Sequence, residues 1–446
     1  MTSTALLTDH YELTMLQAAL RSGAAGRRCV FEVFARRLAE GRRYGVVAGT
    51  GRLVEAVHEF RFGDAEIQRL READVVDGQT LDYLSGYSFT GNISGYAEGE
   101  CYFPGSPLLI VEGTFAESVL LETVLLSILN HDSAIASAAS RMTNAAGGRP
   151  CIEMGSRRTH EWAAVAAARA AYIAGFATTS NLEAGRTHGI PTGGTSAHAF
   201  TLVHDDERTA FQAQVASMGS GTTLLIDTYD VEAAVSLAVE VAGVGLGAVR
   251  LDSGDLLVQA REVRAQLDGL GATGTRIIVT SDLDEHAIAA LAAAPVDGYG
   301  VGTSLVTGSG AATAGLVYKL VAREDHSGNL VDVAKQSKDK ATVGGRKWAL
   351  RRLNASGQAE AEVIGTGLMP APDSHTRPLL VELIRDGKIV AEADLDPLVA
   401  ARTRYRQSLA ELPPRALQLS RGDPVIGTIY QREASLIRPD RRPRLP

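Results

Sequence analysis

Cysteine is scarce in this chain: Cys29, Cys101 and Cys151 are all there is in 446 residues. Thiols so few and so scattered support neither a disulfide framework nor a thiolate metal site, which points to a reducing compartment. Long apolar runs are missing too. The most apolar window, Val231 to Val249, is broken by Glu232 and Glu240 and falls short of a membrane span. The opening stretch Met1-Thr-Ser-Thr-Ala-Leu-Leu-Thr-Asp9 lacks a basic start followed by an apolar core, so no signal peptide is expected. Positive charge is in deficit: 44 Lys and Arg face 52 Asp and Glu, a formal net charge of −8. That balance argues against a protein whose main partner is nucleic acid. Anionic small substrates stay open, because a site's field is local. The expectation is a cytoplasmic protein with neither a membrane nor a nucleic acid as partner.

What is present reads as a globular enzyme. The length exceeds one average domain, so two domains or one large barrel with additions are expected. Residues 1–115 mix their patterns. Asp9 to Leu20 reads as a capped helix, Cys29 to Phe34 alternates like a strand, and Gly95 to Val111 reads as short strands and turns. Ser118 to Asn130 is an apolar helix. From about residue 150 an alternation begins. Helices at Glu161–Ala174, Asp206–Met218, Val231–Val241, Leu256–Leu270 and Glu285–Ala294 separate apolar segments at Gly175–Asn181, Ile190–His198, Thr222–Asp227, Gly247–Asp252, Thr275–Asp282 and Asp297–Thr303. Strands linked by helices imply a parallel sheet. The repeat of about 25–30 residues is that of a β/α barrel, with an open doubly wound sheet as the alternative.

The expected fold class is therefore α/β: an irregular α/β barrel with a small split α+β N-terminal domain and a C-terminal extension. The expected domains are residues 1–115, completed by part of 330–400; residues 116–330 as the barrel; and residues 331–446 as the extension. The Pro- and Arg-rich tail from Pro413 is expected to wrap the surface or to be partly disordered.

Active sites of parallel barrels lie at the carboxyl ends of the strands. Here those ends carry Arg157 and Arg158, Thr179 and Ser180, His198, Asp227, Arg250 with Asp252, Asp282, and Gly300 to Thr303. Each of the three acids has a bland alternative as a helix N-cap. Together, beside Arg250, they point to a polyanion held with Mg²⁺. Gly298-Tyr-Gly300-Val-Gly302-Thr303-Ser304 suits a phosphate cradle, with a tight turn as the alternative. Thr192-Gly-Gly-Thr-Ser-Ala-His198-Ala-Phe200 places a histidine after small residues at what reads as a strand end. Such a histidine serves as acid, base or phosphate acceptor, unless it is merely a loop or core residue. Lys335-Gln-Ser-Lys-Asp-Lys340, continuing to Lys347, reads as a solvated basic loop.

An ordered set of motifs then resembles the nicotinate phosphoribosyltransferase family, of the type II phosphoribosyltransferases. The set comprises Leu7-Thr-Asp9-His-Tyr11-Glu-Leu-Thr-Met15, Phe31-Glu-Val-Phe34, Leu121-Glu-Thr with Leu129-Asn130, Glu153-Met-Gly-Ser-Arg-Arg158 and Thr179-Ser-Asn181. It continues through Gly194-Thr-Ser-Ala-His198, Ile226-Asp-Thr-Tyr229, Arg250-Leu-Asp-Ser-Gly254, Gly300-Val-Gly-Thr303 and Lys335 to Lys340. The resemblance implies that nicotinate is joined to 5-phosphoribosyl 1-pyrophosphate, with ATP hydrolysis coupled through phosphorylation of His198. It implies a homodimer in which Tyr11 stacks on nicotinate in the neighbouring site. Arg157 would meet the ring carboxylate, and Asp227, Arg250, Asp252 and Gly302 would hold the phosphoribosyl group. Thr179, Ser180, Asp282, Gly300 and Thr303 complete the expected substrate contacts, and Mg²⁺ and ATP are the expected cofactors.

Two departures from the pattern stand out. Gly344-Gly345 replaces a frequent Pro-Gly, and Met154 replaces a frequent aromatic. The nicotinamide-using relative carries an acid in the loop matching Thr178-Thr-Ser180-Asn181. The neutral loop here favours a carboxylate substrate. Quinolinate phosphoribosyltransferase would need a denser basic cluster and no phosphorylatable histidine. A non-enzymatic sugar-phosphate regulator would not need Tyr11, His198 and all three acids together.

Overall fold

The β/α alternation of residues 151–303 builds a six-stranded parallel sheet in the computed structural model, which describes residues 3–39, 41–335, 343–390 and 397–431. In spatial order the strands are Thr178–Thr179, Cys151–Glu153, Gly298–Val301, Arg276–Val279, Ala248–Leu251 and Thr223–Leu225. Their side chains explain the arrangement: Leu224, Ile226, Val249, Leu251, Ile277, Val279, Tyr299 and Val301 are all fully buried. Runs this apolar need cover on both faces, and the crossover helices supply it. Among the described residues no ladder joins the Thr223–Leu225 edge back to the opposite edge, so the sheet is a partial barrel.

One expected strand is not there. Between Ile190 and His198 only Thr192 pairs, as an isolated bridge to Thr179, and His198 opens the short helix His198–Leu202. The physical reason is the absence of an apolar face: Pro191 to Thr195 are exposed and have little to bury. His198 thus lies after a loop, not at a strand end.

The antiparallel sheet beside the barrel draws on distant parts of the chain. Its seven strands run in the order Leu330–Asp332, Leu316–Glu324, Arg28–Ala35, Leu109–Thr114, Asn92–Tyr96, Leu380–Arg385 and Lys388–Ile389. Leu316–Glu324 pairs with Arg28–Ala35, so this late segment hydrogen-bonds to the N-terminal strands and not to the parallel sheet. The helix Glu122–Ala145, longer than expected, bridges the two layers. Val124, Leu125, Ile128 and Leu129 pack into the N-terminal core, while Ile135, Ala136, Ala139 and Met142 pack into the barrel core.

A third sheet orders Thr376–Pro378, Lys347–Leu353, Ala359–Thr366 and Gly427–Gln431. Its last strand runs parallel to Ala359–Thr366, so the tail from Pro413 contributes a paired strand as far as Gln431. Most of the basic motif, residues 336–340, lies outside the described residues.

Candidate active site

Asp227 organises the rim. Its side chain is 3% exposed, and its Oδ1 meets His198 Nε2 at 3.1 Å. Its Oδ2 accepts the Asp252 main-chain N–H at 2.9 Å and the Ser253 hydroxyl at 2.7 Å. A buried carboxylate with three donors is satisfied and rigid, and it orients the half-exposed imidazole. Among the described residues His198 Nδ1 has no hydrogen-bond partner.

Neither Asp227 nor Asp252 caps a helix. The caps are separate residues further along: Asp230 accepts from the Ala233 N–H, Asp255 from Val258, and Asp284 from His286 and Ala287. The bland alternative of capping is thereby assigned to other residues. Asp227 and Asp252 are left to the rim, and Asp282 is exposed beside it.

Arg250 Nη1 donates to the Ser196 carbonyl at 3.1 Å, which ties the loop before His198 to the Ala248–Leu251 strand. Among the described residues its Nε is buried without a partner, a donor suited to an anion. Burial pulls this guanidinium below its ordinary range, the charges of Asp252 and Asp227 pull it back up, and nearby Arg157 pushes it down. It stays protonated regardless. Asp252 takes the Thr280 hydroxyl on one oxygen only. Ser281, the next residue, has φ 125°, a conformation that side chains rarely adopt. Gly300 is required where it is, since a Cβ there would stand 2.4 Å from Thr280 Cγ2 and 2.7 Å from Met154 Sδ.

The second half of the rim is built on Glu153, which is fully buried. Its carboxylate accepts from the Gly155 N–H and from the Thr179 hydroxyl. Burial pushes its pKa up, against the pull of those two hydrogen bonds. The Thr179 hydroxyl is thus engaged inside the protein, while Ser180 is exposed. Arg157 is exposed as well, near enough for Arg250 to feel its charge.

Tyr11 stands in another environment. It is 44% exposed on the helix His10–Ser22 and hydrogen-bonds Glu122. Burial and the neighbouring Glu122 and Glu12 raise its pKa. Among the described residues no hydrogen bond ties it to the strand-end group.

Sequence reasoning assigned no role to Glu153, Ser253 or Thr280. Glu153 ends the strand Cys151–Glu153, Thr280 follows the strand Arg276–Val279 and Ser253 follows the motif acid Asp252, and those positions were the available signal. A cavity of about 690 Å³ elsewhere shares no lining residue with this rim. Two of its charged groups are matched in buried or half-buried pairs, Arg169 with Glu98 and Arg52 with Asp132.

The family model of the nicotinate phosphoribosyltransferase N-terminal domain matches residues 6–130. A nicotinate phosphoribosyltransferase of Mycobacterium tuberculosis is 58% identical over 95% of this chain and 94% of its own length. A second from the same organism is 39% identical, over 93% of this chain and 89% of its own. The crystal structure of human nicotinic acid phosphoribosyltransferase superposes with a TM-score of 0.81 at 26% identity, covering 95% of this chain and 97% of that one. Likeness of this extent, along nearly the whole of both chains, means that the protein belongs to the nicotinate phosphoribosyltransferase family.

Proposed function

We propose that the protein joins nicotinate to 5-phosphoribosyl 1-pyrophosphate, releasing nicotinate mononucleotide and pyrophosphate. ATP hydrolysis is coupled to this step through a phosphohistidine at His198, in the biosynthesis and salvage of NAD. The observation that carries the coupling is the His198–Asp227 pair. With the proton on Nε2, held toward Asp227 Oδ1, the Nδ1 lone pair faces outward. Nδ1 attacks the γ-phosphorus of ATP, the N–P bond forms, and ADP leaves with the bridging oxygen. The new charge at His198 reorders the Thr192–Ala197 loop, which Arg250 holds through Ser196, and substrate affinity rises.

In the transfer itself the C1–pyrophosphate bond breaks through an oxocarbenium-like state. That state calls for placement and charge stabilisation more than for a strong nucleophile. The nicotinate ring nitrogen supplies the electron pair, with Arg157 against the ring carboxylate and Tyr11 of the partner subunit stacked on the ring. Asp252, Asp227 and Arg250 hold the ribose phosphate, while the amides of Gly300 to Thr303 and the Ser180 hydroxyl add donors. Asp252 and Asp282 suit Mg²⁺, because Thr280 engages only one oxygen of Asp252 and Asp282 is exposed. Held by these two carboxylates, Mg²⁺ would supply positive charge to the leaving pyrophosphate. The protein works as a cytoplasmic homodimer; among the described residues no helix is long and apolar enough to cross a membrane.

The experiment is incubation with γ-labelled ATP. Label is expected on the unmodified protein and not on His198→Ala. Equal nicotinate turnover with and without ATP, in both proteins, would sink the coupling.

A further inference from the structure

We propose that Glu153 is a positioning residue for nicotinate, whose carboxylate locks the Met154–Arg158 turn to the Thr179–Asn181 turn and so fixes where Arg157 can reach. The observation is a closed ring of hydrogen bonds at the ends of two paired strands, in which Glu153 stands opposite Thr179. The two carboxylate oxygens accept from the Gly155 N–H and the Thr179 hydroxyl. The Glu153 carbonyl accepts the Ser180 N–H at 2.8 Å. Thr179 Oγ1 accepts the Asn181 N–H at 3.0 Å, and Asn181 Nδ2 donates to Ser156 Oγ at 2.9 Å, which closes the ring one residue from Arg157. Gly155 is wedged as well: a Cβ there would lie 2.1 Å from Val306 Cγ1, beneath the glycine loop.

Only a carboxylate satisfies this ring. A main-chain N–H cannot reverse, and the hydrogen of the buried Thr179 hydroxyl needs an acceptor of its own. Glutamine offers one acceptor and one donor where two acceptors are needed, so one buried donor loses its partner. Burial pushes the Glu153 pKa up, the two hydrogen bonds of the ring oppose that shift, and among the described residues no ion pair engages its carboxylate.

The proposal rests on the assignment of Arg157 to the nicotinate carboxylate, and steady-state kinetics of the full-length enzyme with nicotinate, phosphoribosyl pyrophosphate and MgATP test both. Glu153→Gln and Thr179→Val are each expected to raise the KM for nicotinate about tenfold, the size of one lost buried hydrogen bond. The KM for phosphoribosyl pyrophosphate and the thermal midpoint stay near those of the unmodified enzyme. Thr179→Ser, which keeps the hydroxyl, recovers the nicotinate KM lost in Thr179→Val. The double variant Glu153→Gln/Thr179→Val rises no further than the larger single effect, because both changes open one ring. If both KM values rise together and track the thermal midpoint, the role is merely structural and the proposal is overturned. An unchanged nicotinate KM in both single variants, with Arg157→Ala raising it, overturns the ring alone. If Arg157→Ala leaves the nicotinate KM unchanged, the assignment of Arg157 falls and takes the proposal with it.

Discussion

At the scale of single residues, the division of labour among aspartates decides the chemistry. Asp227 holds three donors with two oxygens, and one of those donors belongs to His198. Asp227→Asn keeps the size but puts an N–H₂ where an acceptor is needed, so either the imidazole or the Asp252 turn loses its hold. Turnover is expected to fall about 100-fold, on the scale of removing one preorganised polar contact from a site. The label on His198 should fall in parallel, measured by acid-quenched incorporation from γ-labelled ATP. Full labelling in Asp227→Asn would remove Asp227 from the orientation of His198. That three acids follow apolar strands was legible in the sequence. Which of the neighbouring aspartates cap helices was not, because the choice depends on where each strand ends and each helix starts.

Elements show the same division in stability. The helix Val231–Ala242 is capped by Asp230, which accepts the Ala233 N–H at 2.8 Å. Asp230→Ala is expected to cost about 1 kcal/mol, the ordinary worth of an N-cap, measured by urea unfolding. Its nicotinate turnover should stay that of the unmodified protein. A loss of turnover without a loss of stability would place Asp230 in the site. The helices and central strands were readable because apolar residues recur at helical spacing or crowd into short runs. The missing strand at Ile190–His198 was misread because a small-residue segment carries neither signal. Its path is set by contacts from elsewhere, such as Arg250 on the Ser196 carbonyl.

For the whole molecule, buried ionic groups join the layers. Arg351 is fully buried and reaches Glu362 at 2.8 Å, while Arg377 reaches Glu100 and Glu411 at 2.8 and 2.7 Å. The Arg377–Glu100 pair staples the C-terminal sheet to the turn after Asn92–Tyr96, while Arg351–Glu362 spans two adjacent strands of that sheet. His188 belongs to a second such junction, beside the matched pair Arg169–Glu98. Burial first, then the charges of Arg169 and Arg52, lower its pKa from 6.5 to about 4. A base with a depressed folded pKa binds fewer protons folded than unfolded. Its contribution to stability is therefore complete above 6.5 and lost as pH falls toward about 4. His188→Gln is expected to flatten the rise of stability with pH across that window, followed by urea midpoints at successive pH values. An unaltered slope would show that His188 is protonated equally in both states.

Local spacing by itself determined the α/β class, the order of helices and strands from residue 206 to 303, and the candidates His198, Asp227, Arg250, Asp252 and Gly300. Those features need only periodicity and the rule that parallel sheets carry their sites at strand ends. Tertiary structure alone decided that Leu316–Glu324 pairs with Arg28–Ala35, that the barrel wall stays open, and that the Thr179 hydroxyl turns inward to Glu153. The reason is physical: long-range pairing and the satisfaction of buried polar groups depend on which segments meet, and local sequence does not encode that meeting.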